Sequence, residues 1–146
     1  MTTFVGMQGN FVKALKELVE LDYDAVEAYE AAINRLGEAT YIEKLKEFKE
    51  DHLRHIEELS GLLKDHNEEP PTGPSLAKQW LTKGKVILAN LVGDDATLSA
   101  MSSNETDTNK AYERMQDYQD IWEEAVDILK RGLEDERRHK AWLDSI

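Results

Sequence analysis

Residues 50–59 read EDHLRHIEEL, and residues 134–143 read EDERRHKAWL. Glu50, Asp51, Arg54, His55 and Leu59 of the first recur as Glu134, Asp135, Arg138, His139 and Leu143 of the second. Each stretch lies within apolar residues at helical spacing. Positions 45, 48, 52, 55, 59 and 62 read Leu, Phe, His, His, Leu, Leu, and positions 122, 125, 129, 132, 136, 139, 143 and 146 read Trp, Ala, Leu, Gly, Glu, His, Leu, Ile. Residues three and four apart share one helix face, so both histidines of the first stretch, and Glu136 with His139 in the second, fall on the stripe that faces a core.

The segments upstream repeat as well. Residues 22–30 (DYDAVEAYE) align with 105–113 (ETDTNKAYE), matching Asp24 with Asp107, Ala28 with Ala111, Tyr29 with Tyr112 and Glu30 with Glu113. Tyr29 to His55 spans 26 residues and Tyr112 to His139 spans 27, so the chain reads as two similar helical hairpins. In their first helices, positions 15, 18, 22, 25, 29, 32 and 36 read Leu, Leu, Asp, Ala, Tyr, Ala, Leu, and positions 98, 101, 105, 108, 112 and 115 read Leu, Met, Glu, Thr, Tyr, Met. Asp22 and Glu105 each interrupt an apolar seam.

The pattern predicts helices over about 10–36, 41–64, 95–116 and 121–145. Gly37 stops the first, a capping box of Thr40 and Glu43 opens the second, and Asp94 or Asp95 caps the third. Residues 68–74 (EEPPTGP) hold all three prolines and cannot continue a helix. Ser75 then caps a shorter amphipathic helix marked by Leu76, Trp80, Leu81, Ile87, Leu88 and Leu91 and closed at Gly93. Two hairpins joined by a long crossover over 65–94 describe an all-α four-helix bundle, read here as one domain over 1–146.

Composition narrows the function. Thirty Asp and Glu against 18 Lys and Arg give a formal charge of −12, which disfavours nucleic acid and anionic membranes as partners. No apolar run is long enough to span a bilayer and the start carries no basic leader, so the expected location is the cytoplasm. The sequence has no cysteine, which removes disulfides, thiolate ligands and a Cys nucleophile and leaves His and carboxylates as the strong metal ligands.

Most of the acids sort by helical phase onto solvated faces; Asp22, Glu105 and Glu136 do not. They share the buried stripes with His52, His55 and His139, three of the four histidines. Burying an unpaired charge costs several kcal/mol even after relaxation, so three inward acids require cations close by. Protonated histidines or metal ions would meet that need. Tyr29 and Tyr112 stand on the same seams as core aromatics or as donors to the carboxylates of neighbouring helices, and Asp51 and Asp135 are placed to orient histidine rings. Arg54 and Arg138 are expected to pair with acids at the surface.

Glu136-x-x-His139, with Glu105 seven residues ahead of Tyr112, resembles one half of a ferritin-like di-iron carboxylate protein. The EDHLRH and EDERRH stretches are similar to the same helices in small bacterial proteins of that superfamily. The resemblance implies a ferritin-like four-helix bundle holding two metal ions, with one carboxylate from each of two helices and a Glu-x-x-His from each of the others. On that mapping Asp22 and Glu105 are terminal carboxylates, Glu136 a bridging one, and His55 and His139 the imidazole ligands. Two positions depart from the pattern: His52 stands where a Glu is expected, and Asp22 replaces a longer Glu. A neutral imidazole does not bridge as a carboxylate does, so Glu136 alone is left to bridge. Three acids rather than four also disfavour an Fe³⁺ pair relative to a divalent pair.

The set Asp22, His52, His55, Glu105, Glu136 and His139 suits two divalent ions, iron first with manganese or zinc as alternatives, and a single ion is a further possibility. The resemblance implies an oxidase-type oxidoreductase reacting with O₂ or peroxide. A helical stress or interaction protein with a metal-free polar core is the alternative. Metal ions are the expected partners, and a homodimer is one assembly open to the chain.

Overall fold

The computed structural model describes residues 3–7, 9–75, 80, 81, 88 and 90–146. Among these lie four helices and no strand: α1 (Phe11–Arg35), α2 (Ala39–Asp65), α3 (Asp94–Met115) and α4 (Ala125–Ser145). Each forms because its apolar residues recur on one stripe, and those stripes meet. Leu15, Leu18, Ala25 and Tyr29 of α1, Leu45, Phe48 and Leu59 of α2, Met101 and Tyr112 of α3, and Leu129 and Leu143 of α4 share one core.

Packing pairs α1 with α2, α3 with α4, α1 with α3 and α2 with α4. Tyr29 meets Glu105 while Asp22 meets Tyr112, so α1 and α3 run in opposite directions. His55 meets Asp135 while Asp51 meets His139, and α2 and α4 oppose in the same way. α2 and α3 are therefore diagonal and parallel, which obliges the chain between them to travel back along the bundle. α2 has 27 residues and is roughly 40 Å long, so the connection must be long. Trp80, within it, donates its backbone N–H to Asp24 and its indole N–H to Glu20, both on α1. The short crossover helix and its Ser75 cap depend on residues 76–79, 82–87 and 89, which lie outside the described residues.

Two helix starts differ from the sequence pattern. α2 begins at Ala39, not 41, and the Thr40–Glu43 capping box does not form; the N-cap is Glu38, which makes no side-chain cap. Thr40 Oγ1 instead donates to Glu38. The corner is held by Asp94, whose carboxylate accepts from the Gly37 and Glu38 amides at 2.9 and 3.0 Å. Asp94 is thus the first residue of α3 rather than its cap. The α3 cap is Gly93, with φ of +91°, a left-handed conformation that glycine adopts without a Cβ penalty.

α4 begins at Ala125, not 121. Ile121 and Trp122 follow the apolar phase, but they close the end of the bundle. Trp122 meets Phe11 edge-on at 5.3 Å and stacks on His66 at 3.6 Å, within turns that end at the Ala125 amide. α1 and α3 match their predicted limits within a residue, with Asn10 accepting from the Lys13 amide at the α1 start. Among the described residues, no helix is long and apolar enough to cross a membrane.

Candidate metal centre

The four seams deliver Asp22 (α1), His52 and His55 (α2), Glu105 (α3), and Glu136 and His139 (α4) to the middle of the bundle, all buried. They fall into two groups of four: Asp22, His52, His55 and Glu136; and His52, Glu105, Glu136 and His139. His52 and Glu136 belong to both, and each turns a different atom to each group. Glu136 Oε1 lies 3.5 Å from His55 Nδ1 and 3.5 Å from His52 Nδ1, while Oε2 lies 3.4 Å from His139 Nδ1. His52 presents Nδ1 to Asp22 at 2.8 Å and Nε2 to Glu105 at 3.5 Å. His55 Nδ1 is 3.4 Å from Asp22, and His139 Nδ1 is 3.4 Å from Glu105.

Around this cluster stands a matched set of supports. Tyr29 donates its hydroxyl to Glu105, and Tyr112 donates to Asp22 at 2.7 Å, each crossing between α1 and α3. Asp51 accepts from His139 Nε2 at 2.8 Å, and Asp135 accepts from His55 Nε2 at 2.9 Å, each crossing between α2 and α4. Arg138 and Arg54 bind both aspartates from the surface. With the outer nitrogen of each ring engaged by a carboxylate, the inner nitrogen of His55 and of His139 is aimed into the cluster. A carboxylate behind a histidine is the arrangement that orients a metal-bound ring.

The charges are strongly coupled. Burial opposes protonation of His52, but Glu136, Asp22 and Glu105 outweigh it and raise its pKa to about 9. Burial likewise opposes charge on His55 and His139, and their carboxylate partners raise them to about 12 and about 11. For Asp22 and Glu105 burial favours the neutral acid, yet the histidines hold both below the usual carboxylate range. Burial pushes both tyrosine hydroxyls up, with the acids that they face adding to it, so they remain donors.

The residue set tests favourably as a metal site. His52 Nε2, His55 Nδ1, His139 Nδ1 and Glu136 Oε1 are buried without a hydrogen-bond partner, and an unsatisfied buried polar atom costs about 1–3 kcal/mol. All four face the cluster. Their spacings to neighbouring donors of 3.4–3.5 Å match the edges of a tetrahedron around an ion with bonds of about 2.0–2.2 Å.

All six seam residues singled out in the sequence are thus brought together, and Tyr29, Tyr112, Asp51 and Asp135 support them. Three further participants emerge. Thr108 Oγ1 lies 2.9 Å from Glu105 and 3.1 Å from Glu136, one turn along the seam from Glu105. Phe48 stacks on His139 with centroids 4.1 Å apart. Gly132 lies against the Tyr112 ring, where an added Cβ would come within 2.5 Å of Cε1.

The profile of a family described as a domain of unknown function (DUF2383) matches residues 10–118. The chain belongs to this family. No curated protein matches the sequence. A crystal structure described as ferritin like, diiron-carboxylate proteins from Bacillus anthracis str. Ames aligns with a TM-score of 0.70 at 21% identity, over 92% of this chain and 93% of that one. The fold of this DUF2383 member is accordingly ferritin-like, and its buried His, Asp and Glu groups are compatible with metal binding.

Proposed function

We propose that the chain, as one domain over 1–146, binds two divalent metal ions at the His52–Glu136 cluster and serves as an oxidase-type oxidoreductase. Iron is the favoured metal and manganese the redox-active alternative; zinc is an alternative occupant of the site that would supply no redox step. The observation that carries this reading is the set of four buried, unpartnered donor atoms converging from α2 and α4. The similar crystal structure, described as diiron-carboxylate, supports it. Two redox-active ions would supply one-electron steps toward a small oxidant such as O₂ or peroxide. The chain's own contribution is structural and electrostatic. Asp51 and Asp135 fix the rings of His139 and His55, Tyr29 and Tyr112 hold the carboxylates of Glu105 and Asp22, and burial keeps bulk water from the donors.

The raised histidine pKa values support a second reading, in which three imidazolium ions neutralise three carboxylates in a metal-free core. The metal-loaded and metal-free states respond oppositely to alkali. Metal must displace the histidine protons, so affinity should rise with pH, by about tenfold per unit for each proton released. In the metal-free protein a histidine with a raised folded-state pKa stabilises the fold fully below 6.5, and that contribution is lost as pH rises through about 9 for His52. The deciding measurement is the metal content of protein purified without chelator or nickel affinity, together with a difference spectrum after Fe²⁺ is added in air. Less than about 0.2 metal per chain, with no stabilisation by added Fe²⁺, Mn²⁺ or Zn²⁺, would leave the metal-free core as the correct reading.

A further inference from the structure

The two groups of donors look alike in composition, each with two histidines and two carboxylates, but one spacing differs. The five histidine–carboxylate distances that do not involve His52 Nδ1 are 3.4–3.5 Å, the edge length expected when both atoms bind one ion. His52 Nδ1 to Asp22 Oδ1 is 2.8 Å. That is short for two ligands on one tetrahedral ion, and it is the length of a charge-assisted N–H···O⁻ hydrogen bond. The opposite nitrogen, Nε2, is buried, has no hydrogen-bond partner and faces Glu105. His52 therefore spends one nitrogen on Asp22 and keeps the other free for a single group.

Resting on the metal-binding reading above, we infer that the centre is two unequal positions filled in order. The first is closed, with four protein donors: His52 Nε2, His139 Nδ1, Glu105 and Glu136 Oε2. The second has three, His55 Nδ1, Asp22 and Glu136 Oε1, and its fourth corner is open because His52 Nδ1 holds a proton toward Asp22. A closed four-donor set is the form of structural sites, and three protein donors with an open corner the form of reactive ones. The position beside His55 is thus the one whose coordination a small exogenous ligand, water or substrate, would complete. The two terminal carboxylates differ in their partners: Asp22 accepts from His52, a member of the cluster, and from Tyr112, whereas Glu105 accepts from Tyr29 and Thr108, which lie outside it.

The test is a titration of metal-free protein with Zn²⁺ by competition against a chromophoric chelator, and with Co²⁺ followed by its visible bands. The parent protein should bind two equivalents, the first about 10–100-fold tighter, the span that one supporting interaction commonly sets. The first Co²⁺ equivalent should give intense tetrahedral bands, and the second weaker bands that shift when azide is added. H139Q should lose the tight equivalent, whereas H55Q should keep it and lose the weak one. H52E, which restores a carboxylate able to serve both groups, should draw the two constants together. Circular dichroism verifies that each variant is folded, and the parent titration stands without any variant. Two equivalents of equal affinity in the parent, or a tight equivalent lost in H55Q and kept in H139Q, would overturn the ordering while leaving metal binding intact. Failure of the parent to bind either ion would overturn the metal reading itself and the ordering with it.

Discussion

The α1–α2 hairpin carries Asp22, Phe48 and His52 where the α3–α4 hairpin carries Glu105, Gly132 and Glu136. Nearly everything around them is shared, including the tyrosines, the aspartates behind the histidines and the arginines outside. The difference teaches how a symmetric frame produces an asymmetric centre. Glu136 directs one oxygen to each group of donors, whereas the equivalent His52 directs one nitrogen to a hydrogen bond and one to a single group. The rings beside the histidines follow suit: His139 lies under Phe48, while the matching glycine at 132 admits Tyr112 toward His55.

The most severe way to break this comparison is Glu136→Ala, which removes the one carboxylate that serves both groups. It should weaken Fe²⁺ and Zn²⁺ binding at both positions by more than about 100-fold, beyond the loss typical for a mere supporting partner. Retention of parental stoichiometry after dialysis would show that the seam assignment is wrong. Phe48→Ala comes next. Truncating this fully buried ring should cost about 3–5 kcal/mol in denaturant unfolding of the metal-free protein, and it uncovers His139 but not His55.

Gly132→Ala probes the mirror position with the opposite change. Its methyl would meet Tyr112, so a loss of about 1–3 kcal/mol and a changed tyrosine near-UV signal are expected; a neutral result would show that the ring has room to move. The mildest pair is Tyr29→Phe and Tyr112→Phe. Each removes one hydrogen bond to a buried carboxylate and should cost about 1–3 kcal/mol at most. Equal losses by thermal unfolding would place the asymmetry at positions 52 and 136, whereas unequal losses would extend it to α1 and α3.

Much of this arrangement is legible in the sequence for a simple reason. An acid or histidine on an apolar stripe is conspicuous, since burial is costly, so Asp22, Glu105 and Glu136 mark themselves by phase alone. Gly132 and Thr108 occupy the same stripes but are small enough to pass as core, and only the neighbouring Tyr112 ring and Glu105 carboxylate reveal their roles. Helix starts fail where distant chain decides them. Thr40 and Glu43 have the spacing of a local cap, but a carboxylate from α3 reaches the corner amides instead. Ile121 and Trp122 keep the helical phase, yet Ile121 packs on the core from outside the helix and Trp122 covers Phe11 and His66. Pattern reading sees neighbours within a few turns, and these outcomes depend on residues far along the chain.

Asp94 has a consequence for assembly. The bond from Gly37 spans 57 residues of sequence, and it forms only after the chain has doubled back along the bundle. The first corner is therefore finished by chain that lies beyond the crossover, and its closure is tied to the return of α3. A polypeptide ending before residue 94 would leave the Gly37 and Glu38 amides facing solvent. The two hairpins, so alike in their interiors, are consequently not interchangeable halves: the second completes the first.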